Sequence, residues 1–271
     1  PAIGSQPHEQ ASYPAQLLSC SQCKLVQLGL TVDPEVLFPP SYPYTSSTTK
    51  ILRDNFAELY KECSNLVNLV PDDLIVDIGS NDGNLLSNFT SHQVQGITPE
   101  EIGKKAIERG IPTLISFFNQ DAVNKVKFER GQAKIVTATN VFAHIENVHE
   151  ILRCILDLLT SDGVFISESH YLLPLIETLQ YDTIYHEHLR YYSLHSLKHL
   201  LEMHDLEVFH AKRIPTHGGS VRVYAARKGS ISVKETVASL LEEEKIKILD
   251  QQQLMKFKED VVTSKLELHS L

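Results

Sequence analysis

The chain has 271 residues, 42% of them hydrophobic and 22% charged, which suits a soluble globular protein with one large domain and appendages. A net charge of −9 and a pI near 5.8 argue against nucleic acid as a partner, and no apolar run approaches the ~20 residues of a membrane helix. The opening Pro-Ala-Ile-Gly-Ser lacks a basic region followed by an apolar core, and four dispersed cysteines make no disulfide framework, so no secretory signal is read and a reducing cytoplasm is expected.

Residues 1–47 form a first segment, rich in Pro, Ser, Tyr and Gln, that does not begin with Met and is compatible with a piece of a longer chain. It contains Cys20-Ser-Gln-Cys23, half of the tetrahedral ligand set that Zn²⁺ takes. A second pair is lacking: Cys63 and Cys154 fall at apolar helical positions and read as core, and His8 is only a loose candidate. Zinc therefore requires a first pair upstream of Pro1, or the site is lost. Phe38-Pro-Pro-Ser-Tyr42-Pro-Tyr44 reads as a proline-stiffened loop presenting two tyrosines. A helix is expected over 49–70, with Leu52, Phe56, Leu59, Cys63, Leu66 and Val70 as its buried stripe.

From residue 74 strands and helices alternate. Strands are expected at 74–78, 93–97, 113–116, 134–138, 163–168, 206–211 and 221–226, and helices at 84–90, 100–109, 120–130, 146–160 and 194–204. The pattern implies an α/β fold, a seven-stranded doubly wound sheet covered on both faces, over 48–229. Residues 230–271 turn charged and helical and read as a solvated linker, tail or lid.

The organising stretch is Leu74-Ile-Val-Asp77-Ile-Gly79-Ser80-Asn81-Asp-Gly83, an apolar strand ending in a glycine turn. There are too few glycines for a dinucleotide fingerprint and no Lys-Ser/Thr for a phosphate loop. An acid at a strand end before Gly-x-x-x-Gly is the nucleoside-binding turn of S-adenosylmethionine (SAM) methyltransferases, with a generic α/β turn as the alternative. Ligands in open sheets bind at the carboxyl ends of the strands, which places Asp77–Gly83, Thr98, Phe117–Asn119, Asn140–His144 and Glu168–Tyr171 around one crevice. Between the fifth and sixth strands of this sheet lies Tyr185-His186-Glu187-His188-Leu-Arg-Tyr-Tyr, too dense in titratable groups for an ordinary loop. His at i and i+2 face apart on a helix, so acid–base chemistry accounts for the block better than a metal does, with a hydrogen-bonded structural loop as the alternative. His144 faces the same crevice or packs as a buried core imidazole. His217 and Arg222, around Gly218-Gly219, sit where they either contact an anionic ligand or complete a plain turn.

Asp77-Ile-Gly-Ser-Asn-Asp-Gly, Asn140-Val-Phe-Ala-His144, Tyr185-His-Glu-His188-Leu-x-Tyr-Tyr-Ser and His217-Gly-Gly-Ser-x-Arg222 occur in that order. Together they resemble the C-methyltransferases of nucleotide-linked keto-deoxysugars, over roughly residues 18 to 228. The resemblance implies a class I SAM methyltransferase with a Rossmann-like sheet, a partial N-terminal zinc-ribbon-like segment and a C-terminal half of which this chain holds little, so that a partner chain is a candidate for supplying it. It implies cofactor contacts from Asp77, Gly79, Ser80, Asn81, Gly83, Thr98, Pro99, Phe118, Asn119, Thr139 and Asn140, and substrate contacts from His186, His217 and Arg222. His188 is implied as the base that removes a proton beside a C4 keto group, giving an enolate that takes the SAM methyl. Glu187 would orient that base, and Tyr185, His144, Tyr42 and Tyr44 would hydrogen-bond the sugar or its oxyanion. Where the family carries an acid before Pro99, this chain has Thr98, so Glu100 or Glu101 is expected to take the ribose. O- or N-methylation of another small molecule and a non-catalytic binding module are the competing readings.

Overall fold

The computed structural model describes residues 12–37 and 45–270. Tyr42 and Tyr44 lie outside the described residues. The elements, in order, are β1 (Leu17–Ser19), β2 (Val26–Leu28), a single turn α1 (Pro34–Leu37), α2 (Lys50–Leu66), β3 (Leu74–Ile78), β4 (Gln93–Thr98), α3 (Gly103–Glu108), β5 (Thr113–Ile115), α4 (Gln120–Arg130), β6 (Ala133–Thr139), α5 (Val148–Leu158), β7 (Leu159–His170), α6 (Leu172–Glu177), β8 (Arg190–Tyr191), α7 (Leu194–Glu202), β9 (Leu206–Ile214), β10 (Ser220–Arg227), α8 (Glu235–Lys247) and α9 (Gln251–His269). Seven strands form the main sheet in the order β5-β4-β3-β6-β7-β10-β9. The first five run parallel, and β10 closes antiparallel between β7 and β9.

The apolar runs become strands because both faces of the sheet are covered. Ile75, Ile135, Val164 and Tyr224 pack under Phe56, Leu59 and Cys63 of α2, while Val76, Val136 and Phe165 belong to the opposite layer with α4, α5, α7 and α8. The chain reverses its crossover direction between β3 and β6, and at that switch point the strand ends part to leave a crevice.

Two expectations are corrected. No helix follows the glycine turn at 84–90; only a 3₁₀ turn at Leu86–Asn88 forms. Ser87 Oγ and Asn88 Nδ2 both donate to the Asn84 carbonyl, so side chains satisfy the backbone locally and the chain passes directly into β4. Within the first segment, β2 pairs with β8 in a three-stranded antiparallel sheet, with Val26 opposite Tyr191 and Gln27 opposite Arg190. The stretch after residue 230 is not solvated throughout. Val237, Leu240 and Ile248 are buried around α8, and the fully buried Glu244 carboxylate accepts from the backbone N–H groups of Leu194 and His195, capping α7 from another helix.

Candidate active site

The cradle begins at the end of β3. Asp77 is buried and accepts a 2.6 Å hydrogen bond from Thr137 Oγ1, and burial pushes its carboxyl up to about 7. Gly79 adopts φ +70°, and a Cβ there would lie 2.3 Å from Val141 Cγ2, so only glycine lets the backbone pass this close to the cavity. The turn is pinned from outside: Ser46 donates its N–H to Asn81 Oδ1 at 2.9 Å and its hydroxyl to Asp82 Oδ1 at 2.7 Å. Arg109 binds Asp82 from the far side at 3.0 Å.

Above the cradle lies a cavity of about 640 Å³, lined at this end by Gly79, Ser80, Asn81, Pro99, Glu100, Phe118, Thr139 and Asn140. Thr98, the residue in the usual acid position, is fully buried and does not line the cavity. Its hydroxyl donates to the Glu100 carboxylate instead. Glu101 points out to Lys104. Of the two candidate acids, only Glu100 reaches the cavity, 21 positions after Gly79, where an acid commonly meets a ribose hydroxyl. Replacing Glu100 by Gln is therefore expected to weaken binding of the demethylated cofactor about tenfold, whereas Glu101→Gln leaves it unchanged; isothermal calorimetry reads both.

The other end of the cavity is a wall of imidazoles: His144, His170, His188 and His217, with Tyr185, Glu187 and Thr183 between them. The His188 ring centroid lies 5.1 Å from that of His144, 6.0 Å from that of His170 and 4.3 Å from that of Tyr185. His188 Nδ1 lies 3.0 Å from the Thr183 carbonyl, which can only accept, so the proton sits on Nδ1. That leaves the Nε2 lone pair, 3.2 Å from the Tyr185 hydroxyl. Burial lowers the pKa of His188 and takes that of His144 down to about 4, so both are neutral at pH 7. The Thr183 carbonyl fixes the His188 tautomer, and the Glu187 carbonyl accepts from His144 Nδ1.

Other expected residues lie elsewhere. Arg222 faces the opposite side of the sheet with no exposed side chain, bound to Glu168, Glu62 and Asn55, so it has no free N–H edge for an anion. His186 turns away to the N-terminal segment, 3.3 Å from the Pro14 carbonyl and edge-on to Tyr13. Asn119 caps α4 by accepting from Ala122 N, and Gly83 packs against Ala106 behind the turn. Cys20 and Cys23 form the turn between β1 and β2, and among the described residues no group of three or more His, Cys, Asp or Glu can hold a metal. His170 carries no motif in the sequence; its only signal is its place at the end of an apolar strand.

The cradle fits a nucleoside: a glycine that admits no side chain, a carboxylate at hydroxyl-binding depth, an aromatic face at Phe118 and a buried Ser80 Oγ without a partner. Sheet order and crevice together define the class I SAM-dependent methyltransferase fold. Residues 50–211 match the methyltransferase domain family, and residues 215–271 match a C-methyltransferase C-terminal domain. The chain is 34% identical over 237 residues to the C-methyltransferase NovU of Streptomyces niveus, covering 86% of this chain and 56% of that protein. It thus spans little more than half the length of that relative. Among solved structures it resembles a SAM-dependent methyltransferase of Anabaena variabilis (TM-score 0.53, 13% identity, 72% of this chain and 90% of the other). It also resembles the magnesium protoporphyrin IX methyltransferase of Synechocystis with bound S-adenosylhomocysteine (TM-score 0.51, 16% identity, 65% and 83%). With this class I SAM-methyltransferase fold, the chain belongs to the methyltransferase domain family.

Proposed function

We propose that this chain carries the catalytic domain of an enzyme that C-methylates a nucleotide-linked 4-keto-deoxysugar in the cytoplasm, as a step of deoxysugar biosynthesis. The observation that carries the reading is that a neutral imidazole with a fixed tautomer, His188, opens onto the same cavity as the nucleoside cradle. Bound SAM supplies an electrophilic methyl on a sulfonium sulfur. The protein's part is to make the sugar carbon a nucleophile. His188 Nε2 takes the proton beside the keto group, and the C–H electron pair moves into an enolate. The Tyr185 hydroxyl, already directed at Nε2, turns to donate to the developing oxyanion. His144, held by the Glu187 carbonyl, and His217, in a left-handed conformation at φ +53°, bound the sugar.

No lysine or arginine is among the described residues that line the cavity, whose acids are Asp77, Glu100, Glu146 and Glu187. A sugar-nucleotide diphosphate therefore draws its cations from outside them. This supports completion of the site by a further C-terminal segment or a partner chain. Proton exchange separates C-methylation from O- or N-methylation, since only the former passes through an enolate. With the demethylated cofactor bound, incubation in D₂O is expected to place deuterium at the carbon beside the keto group, read by NMR; methyl transfer without any such exchange would point to the heteroatom reaction.

A further inference from the structure

We infer that Ser169 and His170, consecutive residues at the carboxyl end of β7, form a hydroxyl-binding subsite for the substrate beside His188; this rests on the proposed reading of a hydroxylated keto ring as substrate. Both residues line the cavity, with only 1% and 8% of their surfaces exposed. Both also carry a buried polar atom without a partner, Ser169 Oγ and His170 Nδ1. Unsatisfied buried polar atoms are costly and uncommon, and two of them on adjacent residues of a cavity wall mark a place that a ligand completes.

The state of the His170 ring says what kind of group fits. Gln180 Nε2 donates to the Gly218 carbonyl at 2.8 Å, which orients the amide so that its oxygen, 3.3 Å from His170 Nε2, faces the ring. An amide oxygen only accepts, so the His170 proton sits on Nε2 and the orphaned Nδ1 is a lone pair. Gly218 is required for this arrangement: at φ +76°, its Cβ would lie 2.3 Å from Gln180 Oε1. A neutral imidazole acceptor suits a ligand O–H, which can donate to Nδ1, while Ser169 Oγ, on the other side of the strand's pleat, meets a second hydroxyl of the ligand. An anion finds only repulsion at Nδ1. The His170 and His188 rings are stacked with 27° between planes and centroids 6.0 Å apart, a separation that one sugar ring can span.

The test uses the whole chain with SAM, a nucleoside-diphosphate 4-keto-6-deoxyhexose and counterparts each lacking one ring hydroxyl. Ser169→Ala and His170→Gln are each expected to lower kcat/KM roughly five- to tenfold for the sugars bearing the hydroxyl that the replaced residue meets, and to leave the sugar lacking it unaffected. His170→Asn, whose amide oxygen takes the place of Nδ1, is expected to restore most of the loss that Gln causes. Wild-type turnover with equal losses across all the sugars overturns the subsite and leaves the proposed function standing. Neither binding nor turnover of any of these sugars by the wild type overturns both.

Discussion

His188→Asn is expected to lower turnover by about 10²–10⁴-fold while leaving the affinity for SAM and its demethylated product within about twofold of the wild type. The separation follows from the layout. His188 stands among His144, His170 and Tyr185, whereas the proposed cofactor contacts come from Gly79, Glu100 and Phe118. Asn keeps a polar group of similar reach but has no basic lone pair, and deuterium exchange at the sugar carbon is expected to vanish with turnover. The pH profile provides an independent check. Burial lowers the pKa of His188, so the imidazole stays neutral, and competent as a base, to a pH below the ordinary value for histidine. As pH falls through that lowered pKa, protonation removes the base. The acid limb of kcat/KM is therefore expected below about pH 6.5, displaced to the acid side of a free imidazole. An unchanged rate in the Asn variant removes His188 from the mechanism, and loss of cofactor binding with turnover makes its role structural.

The sheet is legible in the sequence because burial on both faces leaves continuous apolar runs such as Leu74–Val76 and Val164–Ile166, which mark their strands. The turn after β3 is legible for a related reason: a turn that needs glycine at positive φ has to spell it, as Gly79 does. Three features are not legible, each for a definite reason. Leu85, Leu86 and Phe89 keep helical spacing because they fill one pocket of the core, although Asn84, Ser87 and Asn88 spend their polar groups on turns. The β2–β8 pairing brings together residues more than 160 positions apart through short strands with no periodic signature. Thr183, which fixes the tautomer of His188, acts through its carbonyl, a group every residue carries. Sequence reasoning finds side-chain chemistry; here the orienting contact belongs to the backbone.

Arg222 is the clearest case of a residue whose sequence suggests one role and whose surroundings impose another, and its replacement carries the largest expected stability change. Its guanidinium donates from Nε to Glu168 at 3.0 Å, from Nη1 to Glu62 at 2.6 Å and from Nη2 to Asn55 Oδ1 at 2.7 Å. Asn55 Nδ2 closes the ring on Glu168 at 2.8 Å, and Tyr224 and Lys212 both donate to Glu62 at 2.6 Å. Glu168 has no exposed surface, and burial already raises its pKa. Arg222→Met leaves that carboxylate without its cation, and removing one partner of a buried pair costs about 3–5 kcal/mol. The loss is expected to depend on pH. Without the guanidinium, the folded-state pKa of Glu168 rises further above its unfolded value, so the variant binds a proton on folding. The stability this provides is present at low pH and fades as pH rises through the folded pKa, so the deficit is larger at pH 8 than at pH 5. Adding Glu168→Gln removes the unpaired charge while keeping an oxygen for Asn55, and the double variant is expected to recover most of the stability. Urea unfolding followed by circular dichroism at the two pH values reads all three proteins. The network also reaches the active site, because the Glu168 carbonyl accepts from Asn140 N at 2.7 Å and Asn140 lines the cavity. Arg222→Met is accordingly expected to weaken cofactor binding even where the protein remains folded, and the double variant to restore it. If the double variant is as unstable as the single one, the cost lies in lost packing around the Arg222 stem rather than in the stranded charge.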